Sequence, residues 1–173
     1  MMNQDNIIIS NPEEFQKKKE KFVSGGVGKL HVLSDFDKTL TRAVYSGNRA
    51  GSIISHLRNG KYLSEDYARK AHELFDKYHP IEIDSNIEQE EKNEKMFEWW
   101  KAHKNLLVDS GFSKRIVEEC VGEMIDEKYP EFREGVIEFL KNLGENEIPL
   151  IIMTASLGDL VSEFMDRNGV FSD

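Results

Sequence analysis

The chain has 173 residues, 39% hydrophobic and 32% charged, enough to bury one core with a subsidiary lobe and unlike a disordered or fibrous chain. A formal net charge of −9 makes the average surface repel nucleic-acid backbones and anionic lipid, which argues against a nucleic-acid module but not against a small phosphate held in a local pocket. The single Cys120 excludes an internal disulfide and a cysteine-based metal cluster, and no segment approaches the length that spans a bilayer, so the expected setting is the cytoplasm with no membrane partner.

Residues 11–23 predict a short charged helix, started by Asn11 and Pro12, with Phe15, Lys19 and Phe22 along one side. Ser24-Gly25-Gly26 breaks it. Leu30-His31-Val32-Leu33-Ser34 then reads as a buried strand ending at Asp35. Downstream, four helical stripes are predicted. Tyr67, Ala71, Leu74, Phe75 and Tyr78 form the first; Met96, Trp99, Trp100, His103 and Leu107 the second, with Ser85 and Glu88 as its capping pair. Val117, Cys120, Val121 and Met124 form the third, in which Cys120 is a core thiol. Phe132, Val136, Phe139 and Leu140 form the fourth, started by Pro130. A second strand, Ile148 to Met153, leads through Thr154-Ala155-Ser156-Leu157-Gly158-Asp159 into a helix with Leu160, Val161, Phe164 and Met165 on its apolar face. Ser156 and Asp159 suggest a capping box there.

Two parallel strands separated by a long helical stretch predict an α/β fold, a Rossmann-like parallel-sheet core with an inserted helical cap. The expected division is residues 1–44 as the start of the core, 45–127 as the cap and 128–173 as the return to the core. Two strands make a meagre sheet, so the core is expected to be incomplete and to be finished in cis by a further C-terminal segment.

Asp35-Phe36-Asp37 sits just past the first strand, where open α/β sheets place their ligands. Residues two apart turn toward one point, and two anions sharing it require a cation; hard oxygen ligands favour Mg²⁺. With that charge in place Asp35 attacks phosphorus as a carboxylate nucleophile, and Asp37 protonates the leaving oxygen and later deprotonates water.

Continued as Lys38-Thr39-Leu40-Thr41, this motif resembles the first motif of the haloacid dehalogenase-like phosphatase superfamily. Tyr45-Ser46-Gly47-Asn48-Arg49, Ile81-Glu82-Ile83-Asp84, Glu98-Trp99-Trp100 and Thr154-Ala155-Ser156-Leu157-Gly158-Asp159 narrow the resemblance to the cytosolic pyrimidine 5'-nucleotidases, the class III cytosolic nucleotidases. It spans this chain from about residue 14 to its end, and roughly the first three-fifths of such a protein. The resemblance implies that Asp35 and Asp37 also hold Mg²⁺, that Thr154 and the Ala155 backbone hold the phosphoryl oxygens, and that Glu82 reads the base of a nucleotide substrate. His103 falls near a substrate-contacting serine of the family. Where those proteins have glycine, this chain has Ser156. The implied activity is Mg²⁺-dependent hydrolysis of nucleoside 5'-monophosphates through an aspartyl-phosphate. The family's phosphate-steadying lysine and further metal carboxylate have no counterpart after Thr154, so the 173 residues alone are expected to be inactive. The alternatives are a phosphatase of another small phosphate monoester, or a non-catalytic interaction or regulatory protein.

Overall fold

A computed structural model of the chain describes residues 7–170. Helix α1 (Pro12–Gly25) starts as expected: the Asn11 side chain accepts from the Glu14 amide at 3.1 Å, and Pro12 occupies the first turn, where its missing N–H costs nothing. No residue of α1 is buried. A single 3-10 turn (Val27–Lys29) leads into β1 (Val32–Ser34).

Strand β1 pairs in parallel with β4 (Leu150–Ile152), in the register Val32 to Leu150 and Ser34 to Ile152. The ladder is closed at one end by Val32 N–H on the Pro149 carbonyl and at the other by Met153 N–H on the Ser34 carbonyl. Because the strands run side by side and stop together, the loops that follow them, beginning at Asp35 and Met153, emerge at the same edge. Leu33 and Ile151 lie on an exposed sheet face, while their neighbours along each strand turn toward the helices.

The helices are α2 (Ile53–Asn59), α3 (Tyr67–Ile83), α4 (Gln89–Asp109), α5 (Lys114–Asp126), α6 (Val136–Glu145) and α7 (Gly158–Arg167). The stripes of α5 (Ile116, Val117, Cys120, Val121, Met124) and α7 (Leu160, Val161, Phe164, Met165) are buried against one another and against α2, joining Phe36 and Leu40 in one core. Cys120 is fully buried, and burial pushes its thiol up to about 12, as a core thiol requires. Helices α3 and α4 form an antiparallel pair: Tyr67 stacks on His103 near one end, while Phe75 and Tyr78 meet Trp99 nearer the other. No helix among the described residues is long and apolar enough to cross a membrane.

Three local expectations are corrected. Pro130 does not start a helix; α6 begins at Val136 after Gly135, whose left-handed φ of 79° suits a residue without a Cβ. The stripe of α6 is therefore Val136, Leu140 and Leu143, Phe139 is largely exposed, and Phe132 belongs to a bridge with Thr41. Ser85 caps nothing, because the Asp84 carboxylate takes the Asn86 amide and turns the chain before α4 begins. Ser156 does not cap α7, whose N-cap position is Leu157. The structure also contains elements the hydrophobic pattern did not signal: α2, and a two-residue hairpin, β2 (Val44–Tyr45) with β3 (Asn48–Arg49), turned by Ser46 and Gly47 at positive φ.

Candidate active site

Phe36 decides where the two aspartates point. Its ring is fully buried, edge-on to Phe132 at 6.2 Å and to Phe164 at 6.0 Å. With Phe36 anchored inward, the residues on either side turn the other way, into a cleft. The loop beyond is wound tightly around the Phe36 carbonyl, which accepts from the amides of Thr39, Leu40 and Thr41. Lys38 takes a left-handed φ of 63°, and its amide donates to Thr41 Oγ1 at 2.9 Å. From across the chain the Arg133 guanidinium donates to the carbonyls of Lys38 at 2.6 Å and Thr41 at 3.2 Å, so two separate segments fix the loop.

Asp35 Oδ2 accepts from Thr39 Oγ1 at 3.1 Å, and Asp37 Oδ1 accepts from the Ile53 amide at 2.7 Å, at the first residue of α2. Burial pushes the Asp37 carboxyl above its usual range; the Ile53 N–H and the Lys38 charge oppose the shift, and the Asp35 charge reinforces it. Asp37 is thus shifted toward its protonated form.

The cleft has a volume of about 350 Å³. Asp35, Asp37 and Lys38 line it beside Ala155 and Ser156 from the β4–α7 loop. Phe75 and His79 of α3 and Trp99, Trp100 and His103 of α4 supply its aromatic side, and Glu82 of α3 and Arg58 of α2 also line it. A larger hollow of about 570 Å³ runs along α6, but its lining has neither paired carboxylates from a strand end nor an aromatic ring.

Of the residues singled out from sequence, Asp35, Asp37, Glu82, His103 and Ala155 line this one cleft. Thr154 does not: it borders a separate hollow with Leu150, Val161 and Met165, and its hydroxyl accepts the Ser156 amide at 3.0 Å. Ser156 stands at the cleft, its Oγ buried without a hydrogen-bond partner. Glu82 Oε2 is 2.9 Å from His79 Nδ1. His103 is buried, 3.0 Å from the Tyr67 hydroxyl and stacked on its ring. Burial and the nearby Arg58 charge lower its pKa to about 4, which keeps the ring neutral near pH 7. Trp99 lies nearly parallel to Tyr78, and Tyr45 packs edge-on to Tyr129, outside the cleft lining.

Sequence reasoning passed over Arg58. The available signal was its spacing: Arg58 follows Ile54 by four residues, on the same helix face, and both reach the cleft.

The donor set of Asp35 and Asp37 suits a hard divalent cation. Among the described residues no third acidic, His or Cys side chain joins them in a cluster. Mg²⁺ tolerates this, since it keeps several waters and needs only one or two carboxylates plus substrate oxygens.

Comparison with known proteins identifies relatives of this chain. The sequence profile of the family "Pyrimidine 5'-nucleotidase (UMPH-1)" matches residues 38–173. The chain is 35% identical over 172 residues to the 7-methylguanosine phosphate-specific 5'-nucleotidase B of Xenopus laevis, covering 99% of this chain and 58% of that protein. It is 36% identical over 165 residues to the 7-methylguanosine phosphate-specific 5'-nucleotidase of Rattus norvegicus, covering 95% of this chain and 54% of that protein. Its fold superposes on the crystal structure of cytosolic 5'-nucleotidase IIIB bound to cytidine with a TM-score of 0.85 at 27% identity, covering 99% of this chain and 56% of that one. The chain therefore spans little more than half the length of the relatives it matches.

Proposed function

Since the chain belongs to the pyrimidine 5'-nucleotidase family, we propose that its cleft serves the Mg²⁺-dependent hydrolysis of nucleoside 5'-monophosphates through an aspartyl-phosphate. The observation that carries this reading is the Asp35 and Asp37 pair lining one cleft with Glu82, Trp99 and Trp100. A phosphate at the carboxylates leaves a planar base among aromatic rings, where stacking favours it. Asp35, oriented by Thr39, is the nucleophile: its carboxylate oxygen bonds phosphorus as the bond to the 5'-oxygen breaks. Asp37, biased toward protonation, gives its proton to that departing oxygen and then takes one from the water that hydrolyses the acyl phosphate. Asp35 and Asp37 would hold Mg²⁺, which would neutralise part of the charge of an approaching phosphate.

In this reading the Ala155 backbone steadies the phosphoryl oxygens, Glu82 accepts from an amino group of the base, and His103 forms the pocket wall, while Thr154, which lies outside the cleft lining, holds the loop through the Ser156 amide. Residues 45–127 act as the cap over a core formed by 1–44 and 128–173. The 173 residues alone turn over little substrate, because no lysine follows Thr154 and no third carboxylate joins the pair among the described residues. A cytosolic location follows by likeness to cytosolic 5'-nucleotidase IIIB.

The test is phosphate release by the product of the complete coding region, with and without Mg²⁺, from CMP, UMP, 7-methyl-GMP and sugar phosphates. The expected result is release that needs Mg²⁺, favours nucleotides and falls by at least about 10²-fold in Asp35→Asn, in line with the loss of an activated nucleophile. Equal release from sugar phosphates removes the base from the account, and release undiminished in Asp35→Asn removes the nucleophile.

A further inference from the structure

Arg58, in the last turn of α2, has no counter-ion among the described residues. Arg58 lines the cleft on the same helix face as Ile54, and its Cζ lies 5.0 Å from the centroid of the Phe75 ring. Among the described residues no carboxylate and no carbonyl oxygen forms an ion pair or a hydrogen bond with it. Glu82 lines the same cleft but is engaged with His79. A half-buried guanidinium with five free donors carries a desolvation cost that a partner would offset, and arginine does not shed its charge to escape it. The nearby imidazole of His103 stays neutral in the same surroundings: burial and the Arg58 charge both disfavour its protonation.

We propose that Arg58 selects the base of the substrate, donating to an oxygen or ring-nitrogen acceptor of a neutral base and disfavouring a base that is itself positively charged. The inference rests on the reading of the cleft as a nucleoside 5'-monophosphate site. The Phe75 ring lies under the guanidinium carbon, and the N–H donors, which have no partner among the described residues, are left to meet an acceptor edge. Cytosine offers O2, and guanine offers O6 and N7 as a bidentate pair. Methylation at N7 removes one of those acceptors and puts positive charge on the ring. Two like charges in one partly desolvated cleft repel far more than they do in water. This chain is therefore set against the substrate class for which its Xenopus and rat relatives are named.

The test needs neither turnover nor metal. Quenching of the fluorescence of Trp99 and Trp100, which line the cleft, is followed while the chain is titrated with cytidine, guanosine and 7-methylguanosine. Cytidine and guanosine are expected to bind at least about tenfold more tightly than 7-methylguanosine. Arg58→Gln narrows that gap by raising affinity for 7-methylguanosine, and Arg58→Lys, which keeps the charge, preserves the preference against it. Tighter or equal binding of 7-methylguanosine by the unaltered chain overturns the proposal without any variant, as does an unchanged gap in a folded Arg58→Gln protein. Failure of all three nucleosides to bind overturns the nucleotide reading of the cleft together with the role of Arg58.

Discussion

Burial raises the pKa of the Asp37 carboxyl, the Ile53 amide and Lys38 pull it back, and the Asp35 charge adds to the rise. For an acid whose folded pKa exceeds its unfolded value, the folded state binds the extra proton. Stability is then greatest below the ordinary value of 3.8 and is lost as pH rises through the folded pKa. In metal-free buffer the ionised form of Asp37 therefore works against the fold. Asp37→Asn keeps an oxygen to accept the Ile53 N–H and removes the charge, so in metal-free buffer its Tm at pH 7 should exceed that of the unaltered chain, with the difference vanishing near pH 3. Turnover of the complete protein should fall by about 10²-fold or more, as expected for loss of a general acid. A Tm lowered at pH 7 contradicts this account of Asp37. The two aspartates stood out in the sequence because the Asp-x-Asp follows an apolar strand and continues as Lys38-Thr39-Leu40-Thr41; without that context such a pair reads as a common turn. Arg58 and the partnerless hydroxyl of Ser156 were not, since what marks them is the missing partner, and partners are set by packing between elements distant in sequence.

Between those aspartates the chain spends an entire aromatic side chain on aim. Phe36→Ala leaves a cavity among Phe132 and Phe164 and is expected to cost about 3–5 kcal/mol. Chemical unfolding in urea measures that loss; a change under about 1 kcal/mol would mean that the ring is not packed as described. The apolar stripes of α5 and α7 were readable because their periods fall on single buried faces. The ends of α4, α6 and α7 were not. Ser85, Pro130 and Ser156 are residue types that also suit turns, and the choice between cap and turn depends on contacts outside the local sequence, such as Asp84 taking the Asn86 amide. Helix α2 escaped notice because it is only seven residues long, and two turns give too short a period to distinguish from chance.

At the scale of the whole chain, a two-stranded parallel sheet turns the partly buried Val32, Leu150 and Ile152 to the core that α2, α5 and α7 share, and α3 with α4 brings aromatic side chains to the cleft that Asp35 and Asp37 line. The α/β class and the helical insertion followed from two apolar strands separated by amphipathic helices. The close packing of α5 on α7 did not, because a stripe shows that a face is buried and not what buries it. What joins the sheet edge to the helical pair is the chemistry assigned to Asp35, and a covalent intermediate tests it directly. The complete protein, mixed with CMP and Mg²⁺, quenched in acid and reduced with borohydride, should carry an alcohol in place of the carboxyl at position 35, read by mass spectrometry of the peptide containing Asp35. Reduction at Asp37 or at another side chain, or release of phosphate with no reducible acyl phosphate at any aspartate, would contradict the account.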